Sequence, residues 1–278
     1  MKHLLLIGNG FVGKVAAELC RSYGWKVTTV SRGGNADEVA DVSNPESLRA
    51  LKERIEAPTH LLHCASAGGG GVDSYRSVYL DGCRYLVEIF SGVPLLFTSS
   101  TSVYGQTDGS VVTEESAAVP GRETGDLLLA AEQVVLDSGG VVARLAGVYG
   151  NGRSYLLKRF LAGEAVMEEE GNRWMNHTHH QDAASGCHHL LAAGTEVYGK
   201  IFNLCDSRPM RQRQVYSYLA DHFDRPMPPS GPRNTNLKRG WSDKAVCNGR
   251  MLKLGWKPKY PCFLDAVDEV AKSLGVSV

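Results

Sequence analysis

A glycine-rich loop near the start of this 278-residue chain places the strongest constraint on its fold. The loop, residues 8–13, follows the apolar run Leu4–Ile7 and precedes Phe11–Cys20, whose apolar residues have helical spacing. Between a strand and a helix, glycines at the first, third and sixth loop positions allow a tight turn and the close approach of a phosphate. The free amides of the helix N-terminus attract that anion. The sequence therefore predicts a dinucleotide-binding loop formed by Gly8, Asn9, Gly10, Phe11, Val12 and Gly13.

The rest of the first half alternates between apolar runs typical of strands and segments with helical periodicity. The predicted strands are Lys26–Val30, His60–Cys64, Pro94–Thr98 and Val141–Leu145. The predicted helices are Pro45–Ile55, Val72–Phe90 and Glu123–Leu136. Such alternation is typical of right-handed βαβ units around a parallel sheet. We predict an α/β fold with a Rossmann-type doubly wound parallel sheet, in which residues 1–150 form the dinucleotide-binding domain.

After Gly150 the alternation becomes less regular. Helical spacing occurs at Tyr155–Ala162, Asp182–Ala193 and Arg211–His222, and one further strand is predicted at Lys200–Leu204. Residues 225–232 contain four prolines and a glycine, which excludes regular structure there. We predict that residues 151–278 supply the last sheet elements and a small C-terminal substrate-binding lobe.

The charge balance argues against a polyanionic partner. The chain has 30 Lys and Arg against 30 Asp and Glu, so no net charge attracts nucleic acid or a membrane surface. A local excess does occur, because Asp206–Tyr260 contains twelve basic and four acidic residues. That stretch fits contact with an anionic substrate, and it also fits an ordinary solvated face. We expect a small-molecule partner, no nucleic acid and no membrane.

Seven cysteines are scattered along the chain without a CxxC pair. An odd number at irregular spacing is typical of reduced thiols, so we predict a cytoplasmic protein with neither a disulfide framework nor a zinc site. The apolar run at residues 4–7 stops at Gly8, which makes it too short for a signal peptide or a membrane span. We expect this run to be a buried strand.

The end of the second predicted strand, Val30-Ser31-Arg32, indicates which nicotinamide cofactor binds. An acidic residue there would hold the ribose 2′-hydroxyl of NAD, whereas a guanidinium suits a 2′-phosphate. Asp37 and Glu38 lie too far into the following loop to replace that acid. The alternative is that Arg32 stacks on the adenine or faces solvent. We predict NADP as the cofactor in preference to NAD.

Three further segments end predicted sheet strands, namely Leu61–Ser66, Phe97–Gly105 and Arg144–Gly150. Together with the glycine loop they resemble the extended short-chain dehydrogenase/reductase superfamily, which contains the NAD(P)-dependent epimerases and dehydratases. The resemblance extends through nearly the whole chain. It includes a His-x-x-Asp pair at His179 and a tail at Asn248–Trp256.

Within that superfamily the chain most resembles an atypical branch, the YeeZ-like branch, through Ser99–Gly105 and the residues Gly109, Val111 and Glu114 behind it. The resemblance implies that the strand ends complete the cofactor site. The predicted cofactor contacts beyond the loop are Ser31, Arg32, Cys64, Ala65, Ser66, Thr98, Ser99, Leu145 and Gly147.

One departure from the superfamily concerns its catalytic Tyr-x-x-x-Lys. Aligned on the helix that contains Ala130-Ala131-Glu132-Gln133, the tyrosine position is Thr124 and the lysine position is Leu128. A threonine hydroxyl is a far weaker acid than a phenol, and a leucine cannot lower the pKa of a neighbour. The usual catalytic pair is therefore absent.

Two residues remain as catalytic candidates. Ser100 matches the catalytic Ser/Thr position of the superfamily, where its hydroxyl would hydrogen-bond a substrate oxygen; the alternative is that it caps the strand end. Tyr104 lies in the same strand-end loop, and it could supply a phenol or form only the wall of the site.

Histidines cluster at Asn176–His180 and could titrate near neutral pH. The resemblance implies a structural role for His179 beside Asp182. A metal site built from His177, His179 and either His188 or His189 lacks a matching carboxylate or thiol set, so we predict no metal.

Arginines are the candidates for substrate binding, because a guanidinium suits phosphate or carboxylate. The resemblance implies that arginines of the C-terminal lobe hold a nucleotide diphosphate, although surface or structural roles account for most arginines. The candidate arginines are Arg144, Arg153, Arg173, Arg208 and Arg250. The predicted substrate contacts are Tyr149, Arg153, Arg173, His179 and Arg208.

Two functions fit these residues. The first is an NADP-dependent oxidoreductase or epimerase-like enzyme that acts on a small polar substrate, such as a nucleotide sugar or another anionic compound. The second is a non-catalytic NADP(H)-binding sensor or regulatory protein, which the missing Tyr–Lys pair favours. The intact loop, Ser100 and the substrate lobe favour the enzyme, which we expect as a monomer or a homodimer.

Overall fold

The centre of the fold is a seven-stranded parallel sheet, which the computed structural model describes together with the rest of residues 1–233 and 241–276. Its strands are β1 (His3–Ile7), β2 (Lys26–Ser31), β3 (Glu38–Val39), β4 (His60–His63), β5 (Leu95–Ser100), β6 (Val141–Leu145) and β7 (Ile201–Leu204). The spatial order is β7-β6-β5-β4-β1-β2-β3, and every neighbouring pair is parallel. The predicted α/β fold with a Rossmann-type sheet is confirmed.

Ten α-helices of the described residues surround this sheet and extend beyond it. They are α1 (Gly13–Ser22), α2 (Pro45–Arg54), α3 (Val72–Tyr75), α4 (Gly82–Ile89), α5 (Glu123–Asp137), α6 (Tyr155–Leu161), α7 (His180–Ala193), α8 (Gln212–His222), α9 (Gly249–Lys253) and α10 (Val267–Ser273). No helix of the chain, as far as it is described, combines the length and the apolar character that crossing a membrane requires.

Strand β1 is buried throughout because helices cover both faces of the sheet. Since successive strand side chains point to opposite faces, Leu5 and Ile7 join the core cluster beneath α4 and α5. Leu4 and Leu6 join the opposite cluster, which contains residues of α1 and α7. The apolar run at residues 4–7 is thus a buried strand, as predicted.

A π-helical turn, Arg76–Asp81, interrupts the segment that the sequence predicted as one continuous helix. It joins α3 to α4 and carries Tyr79, whose hydroxyl accepts a hydrogen bond from the Ala67 amide at 3.2 Å. Such turns occur frequently at functional sites. Here the turn brings Tyr79 to the carboxyl edge of the sheet, beside the loop that follows β4.

Four pairs of very short strands organise the residues outside the sheet. The pairs are Val111–Val112 with Ala245–Val246, Gly147–Tyr149 with His177–His179, Met167–Glu168 with Ser230–Gly231, and Trp174–Met175 with Met210–Arg211. The strand Ser230–Gly231 lies within the proline-rich residues 225–232, so the prediction of no regular structure there is wrong at these two residues. A third core cluster, which includes Leu157, Phe160, Leu219 and Phe263, lies among these elements. This part of the chain therefore has apolar packing of its own, next to the carboxyl ends of β5 and β6.

Candidate functional site

A cleft of about 550 Å³ opens at the carboxyl edge of the sheet. Strands β2 and β4 flank β1, so the chain leaves β1 in one direction along the sheet and later returns to its other side. Ligands of open α/β sheets bind at this reversal. Of the fifteen predicted cofactor contacts, all but Gly13 line the cleft.

The glycine loop has the geometry that its sequence predicts. Gly8 has a φ of +104°, and a Cβ there would lie 2.3 Å from the Ala65 nitrogen. A Cβ on Gly13 would lie 1.9 Å from the Gly8 carbonyl oxygen, which explains why Gly13 packs behind the loop and does not line the cleft. A Cβ on Gly10 would meet nothing within 4 Å, so this position is open toward a ligand.

Arg32 lies at the end of β2 in the lining of the cleft, and its side chain is 67% exposed. The nearest ion-pairing carboxylate is Asp41, whose Oδ2 lies 4.0 Å from Arg32 Nη1. Ser31 Oγ donates to Asn35 Oδ1 at 2.6 Å, and the side-chain Nδ2 of Asn9 donates to the backbone carbonyl of Asn35. These contacts join the glycine loop to the residues that follow β2.

Asp37 is engaged elsewhere and does not line the cleft. Its Oδ2 accepts hydrogen bonds from the Thr29 amide at 2.9 Å, from Thr29 Oγ1 at 2.8 Å and from Arg21 Nη2 at 2.7 Å. Burial raises the pKa of Asp37, but these hydrogen bonds and the Arg21 charge outweigh it and lower the pKa below its usual value. Three hydrogen bonds therefore fix one oxygen of the Asp37 carboxylate away from the described lining of the cleft.

Arg153, predicted as a substrate contact, lies in the lining of the cofactor cleft. Its guanidinium carbon is 5.1 Å from the centroid of the Phe11 ring, and that ring stacks on His180 at 4.6 Å. Because Phe11 belongs to the glycine loop, this contact places the Arg153 guanidinium beside that loop.

The position at which the sequence resemblance expects a catalytic lysine is apolar. Leu128 is 3% exposed and lines the cleft, while Thr124 is half-buried on the first turn of α5. Ser100 ends β5 beside them, and its Oγ accepts a hydrogen bond from the Ser102 amide at 3.2 Å. Both alternatives for Ser100 therefore remain, since a capping hydroxyl can still donate its hydrogen to a ligand.

Tyr104 is fully buried, and it does not belong to the described lining of the cleft. Its hydroxyl donates to Asn203 Oδ1 at 3.0 Å, and the Arg144 guanidinium lies 4.8 Å from its ring centroid. Burial raises the pKa of Tyr104. This placement argues against Tyr104 as a proton donor to a bound substrate.

A second cavity of about 310 Å³ adjoins the cofactor cleft and shares Ser100, Gly147 and Val148 with it. Its further lining comes from the loop after β5, from α6 and from the short strands. The polar residues among these include Ser102, Tyr149, Arg173, Asn176, His177, Ser242 and Lys244.

Two of the predicted substrate contacts line this second cavity. Arg173 forms an ion pair with Glu168, with Nη1 and Oε2 3.2 Å apart, and its buried Nε has no partner among the described residues. Tyr149 is buried, and its hydroxyl approaches the Phe263 carbonyl at 3.5 Å. Burial, followed by the charge of Asp206, raises the pKa of Tyr149, so its phenol stays protonated.

The two other predicted substrate contacts lie apart from the described lining of both cavities. His179 is 1% exposed and packs on Tyr260 at 4.1 Å, while Asp182 accepts the Lys259 and Tyr260 amides at 2.7 and 3.0 Å. His179 and Asp182 therefore hold residues 259 and 260 against the start of α7. Arg208 is largely exposed and forms an ion pair with Asp265 at 3.4 Å.

The other histidines have separate environments. His188 stacks on Tyr23 at 4.4 Å, and His189 Nε2 lies 2.9 Å from the Leu254 carbonyl. Burial lowers the pKa of His177 to about 4, so it stays neutral. Within residues 1–233 and 241–276, no three His, Cys, Asp or Glu side chains are grouped to hold a metal ion.

Lys244 is the residue of this site that sequence reasoning missed. It is 4% exposed and lines the second cavity, where its Nζ donates to Ser242 Oγ at 2.8 Å. The only signal in the sequence was the basic excess of Asp206–Tyr260. That excess does not single out Lys244. Residues 234–240, which belong to the same basic stretch, lie outside the described residues.

Comparisons with known proteins identify the family of this chain. The sequence model of the NAD dependent epimerase/dehydratase family matches residues 4–205. The chain is 27% identical to Protein YeeZ of Escherichia coli strain K12 over 94% of this chain and 97% of that protein.

Solved structures extend the likeness in fold. MoeE5 in complex with UDP-glucuronic acid and NAD has a TM-score of 0.80 at 21% identity, covering 98% of each chain. The human epimerase family protein SDR39U1 with NADPH has a TM-score of 0.79 at 17% identity, covering 97% of this chain and 99% of that one.

Proposed function

The chain belongs to the NAD-dependent epimerase/dehydratase family, and on that premise we propose that it is an NADP-dependent oxidoreductase or epimerase acting on a small anionic substrate. The observation that carries this proposal is the contact between the two cavities. Ser100 and Gly147 border both the cofactor cleft and the second cavity, so a substrate in the second cavity would face the cofactor directly.

The preference for NADP rests on the residues that follow β2. Arg32 is a mainly exposed cation in the cleft, while the neighbouring acids are engaged: Asp37 by Thr29 and Arg21, and Glu38 by Arg54 at 2.7 Å. Asp37 and Glu38 thus already have cationic partners, whereas the Arg32 guanidinium in the cleft suits a 2′-phosphate. Of the two solved structures named above, one contains NAD and the other NADPH, so the fold alone does not decide the choice and the proposal depends on these side chains.

The chemistry would come from the cofactor, which transfers a hydride at the nicotinamide when bound. The chain's own contribution is to position and polarise the substrate. Ser100 would donate a hydrogen bond to the reacting oxygen, and Leu128 would exclude water from the cofactor face. Thr124 and Leu128 cannot supply the proton that the tyrosine of related enzymes supplies, so that proton must come from another group or from water.

Cofactor choice is tested by titrating the chain with NADPH and with NADH. We expect tighter binding of NADPH, and we expect Arg32→Ala to weaken NADPH by about tenfold or more while NADH changes little. Arg49→Ala, on α2 with exposed partners Glu46 and Glu88, is the matched control. Equal binding of the two nucleotides, or an unchanged NADPH affinity in Arg32→Ala, would refute the proposal.

The second candidate function is an NADP(H) sensor, and the apolar Leu128 at the lysine position favours it. The two functions differ in what lies beside the nicotinamide. A crystal structure with NADPH would decide between them, because an enzyme needs a polar side chain within roughly 3–3.5 Å of the reacting atom. If only apolar side chains reach that distance, the sensor is the better description.

A further inference from the structure

We infer that Lys244 binds the anionic group of the substrate in the second cavity, and that this group is a single carboxylate on a small molecule. The inference rests on the proposed function and makes its substrate class narrower. It assigns recognition to a buried lysine, in contrast to the arginines that the family resemblance suggested for a nucleotide diphosphate.

The backbone around Lys244 is held rigidly against the cavity wall. The Asn176 side chain donates from Nδ2 to the Lys244 carbonyl at 2.8 Å and accepts from the Val246 amide at 2.7 Å. Ala245–Val246 also pairs with Val111–Val112. The backbone that carries the Lys244 side chain is therefore fixed before any ligand arrives, which lowers the entropic cost of binding.

Lys244 has no ion-pair partner among the described residues, although Asp243 attracts its charge from a longer distance. Two acids in this part of the chain already have partners. Asp243 accepts a hydrogen bond from the Trp174 amide at 2.8 Å and lies 3.6 Å from Arg211. Glu168 forms an ion pair with Arg173. Considering the described residues, no carboxylate lies within 4.0 Å of Lys244 Nζ. A buried ammonium without an ion-pair partner costs several kcal/mol of stability. An anionic ligand that paired with Lys244 would offset this cost.

Net charge selects the class of anion. No Asp or Glu occurs among the described lining residues of the second cavity, and Glu168 neutralises Arg173 from behind. Among the described lining residues one positive charge without an ion-pair partner is left, on Lys244, which matches one carboxylate better than a phosphate of about −1.5 to −2 charge. Ser242 Oγ accepts from Lys244 and can still donate its own hydrogen to the second carboxylate oxygen.

The size of the cavity limits the rest of the molecule. At about 310 Å³ it lies at the low end of the 300–1,000 Å³ range of ligand pockets. A carboxylate at Lys244 leaves the remaining volume toward Ser100, where the cavity meets the cofactor cleft. The site therefore suits a short hydroxy or oxo acid, whose oxygen would face Ser100, and it is small for a nucleotide sugar.

Binding of probe anions tests the inference without any need for turnover. The full chain is titrated calorimetrically with pyruvate, lactate, inorganic phosphate and UDP. We expect the monocarboxylates to bind more tightly than the other two, and Lys244→Met to weaken them at least tenfold. Lys253→Met, an exposed lysine on α9, is the matched control and should bind as the unmodified chain does.

The pH dependence supplies a second readout. Burial, followed by repulsion from Arg173, lowers the pKa of Lys244 to about 8, with Asp243 opposing the shift. Carboxylate affinity should be constant below that pH and fall roughly tenfold per pH unit above it. Two titratable groups that face the cavity keep their protonation state across this range, because burial lowers the pKa of His177 to about 4 and raises the pKa of Tyr149.

Several results would overturn the inference. These are equal carboxylate affinity in Lys244→Met, tighter binding of phosphate or UDP than of the monocarboxylates, and no binding of any probe at its solubility limit. NADPH titration of Lys244→Met shows whether such a result rejects only the role of Lys244 or also the proposed function. Intact NADPH binding with unchanged carboxylate binding rejects only the role of Lys244, whereas a chain that never binds either nucleotide rejects the proposed function.

Discussion

Arg144 on β6 and Glu132 on α5 form a buried ion pair, with Arg144 Nη2 2.6 Å from Glu132 Oε2. The two side chains are only 4% and 3% exposed, and Ser99 Oγ donates to the same carboxylate. The pair thus joins α5, β5 and β6 directly beneath the carboxyl edge of the sheet. Arg144, a candidate substrate arginine from the sequence, instead supports the walls that carry Ser100 and Leu128.

Removing one partner of this pair should destabilise the fold strongly. Glu132→Ala leaves the Arg144 guanidinium buried and unpaired, so we expect the free energy of unfolding to fall by about 3–5 kcal/mol. Urea denaturation measures the change. Glu88→Ala, which breaks the exposed pair with Arg49, is the control and should cost less than about 1 kcal/mol. Similar losses in the two variants would contradict the structural role of Glu132.

Substitutions in the glycine loop should separate an effect on NADPH affinity from an effect on the stability of the fold. Gly10→Ala places a methyl group in open space within the cleft, so we expect stability within about 1 kcal/mol of the unmodified chain but NADPH binding weakened at least tenfold. Gly13→Ala forces its Cβ against the Gly8 carbonyl oxygen and should cost about 1–3 kcal/mol or more. Thermal unfolding with and without NADPH measures both effects. Tight NADPH binding by Gly10→Ala would show that no ligand approaches this position.

Much of the fold and the cofactor cleft could be predicted because the signals are local. The run at residues 4–7 and the glycines after it define strand, loop and helix within a short window. The carboxyl ends of parallel strands meet at one edge of a sheet. Residues that follow different strands, such as Ser31 and Thr98, could therefore be assigned to one site from the sequence alone, and both line the cleft.

The remaining features depend on contacts that are distant in sequence. Tyr104 faces the core because Asn203, 99 residues later, accepts its hydroxyl hydrogen. Lys244 is buried because Asn176 fastens its backbone across 68 residues. Strands of two or three residues, such as His177–His179, are too short to show a period of two. The π-helical turn at Arg76–Asp81 keeps the apolar pattern of a helix, so the sequence predicted no interruption there.

Asp206 should make stability depend on pH. Burial raises its pKa well above the ordinary 3.8, although the backbone amides of His177 and Phe263 oppose the shift, and Oδ1 has no partner among the described residues. The native state therefore binds more protons than the unfolded chain from about pH 3.8 up to the raised pKa. Stability contributed by Asp206 is present at low pH and is lost as the pH rises through that window.

Asp206→Asn removes this dependence while keeping the shape of the side chain. We expect the variant to be at least as stable as the unmodified chain at neutral pH, and to show a smaller fall in the free energy of unfolding between pH 4 and neutrality. Urea denaturation across that range measures both. Asp221→Asn on α8, whose carboxyl is exposed, is the control. A fall in Asp206→Asn that is as steep as in the control, or steeper, would contradict the assignment.

Two arginines of the cofactor cleft should have separable effects on nucleotide binding. Arg153 lies over Phe11 of the glycine loop, whereas Arg32 lies at the end of β2. The pyrophosphate is common to NAD and NADP, so Arg153→Ala should weaken both by a similar factor, about tenfold or more. Arg32→Ala should weaken NADP alone.

The control for Arg153 is Arg159→Ala on α6. Arg159 also lies over an aromatic ring, 5.7 Å from the centroid of Tyr155, but it does not belong to the described lining of the cofactor cleft. Loss of a surface cation–π contact alone should leave both nucleotide affinities unchanged. If Arg153→Ala weakened only NADP, the guanidinium would belong to the 2′-phosphate site. If it weakened neither nucleotide, Arg153 would belong to the substrate, as the sequence predicts.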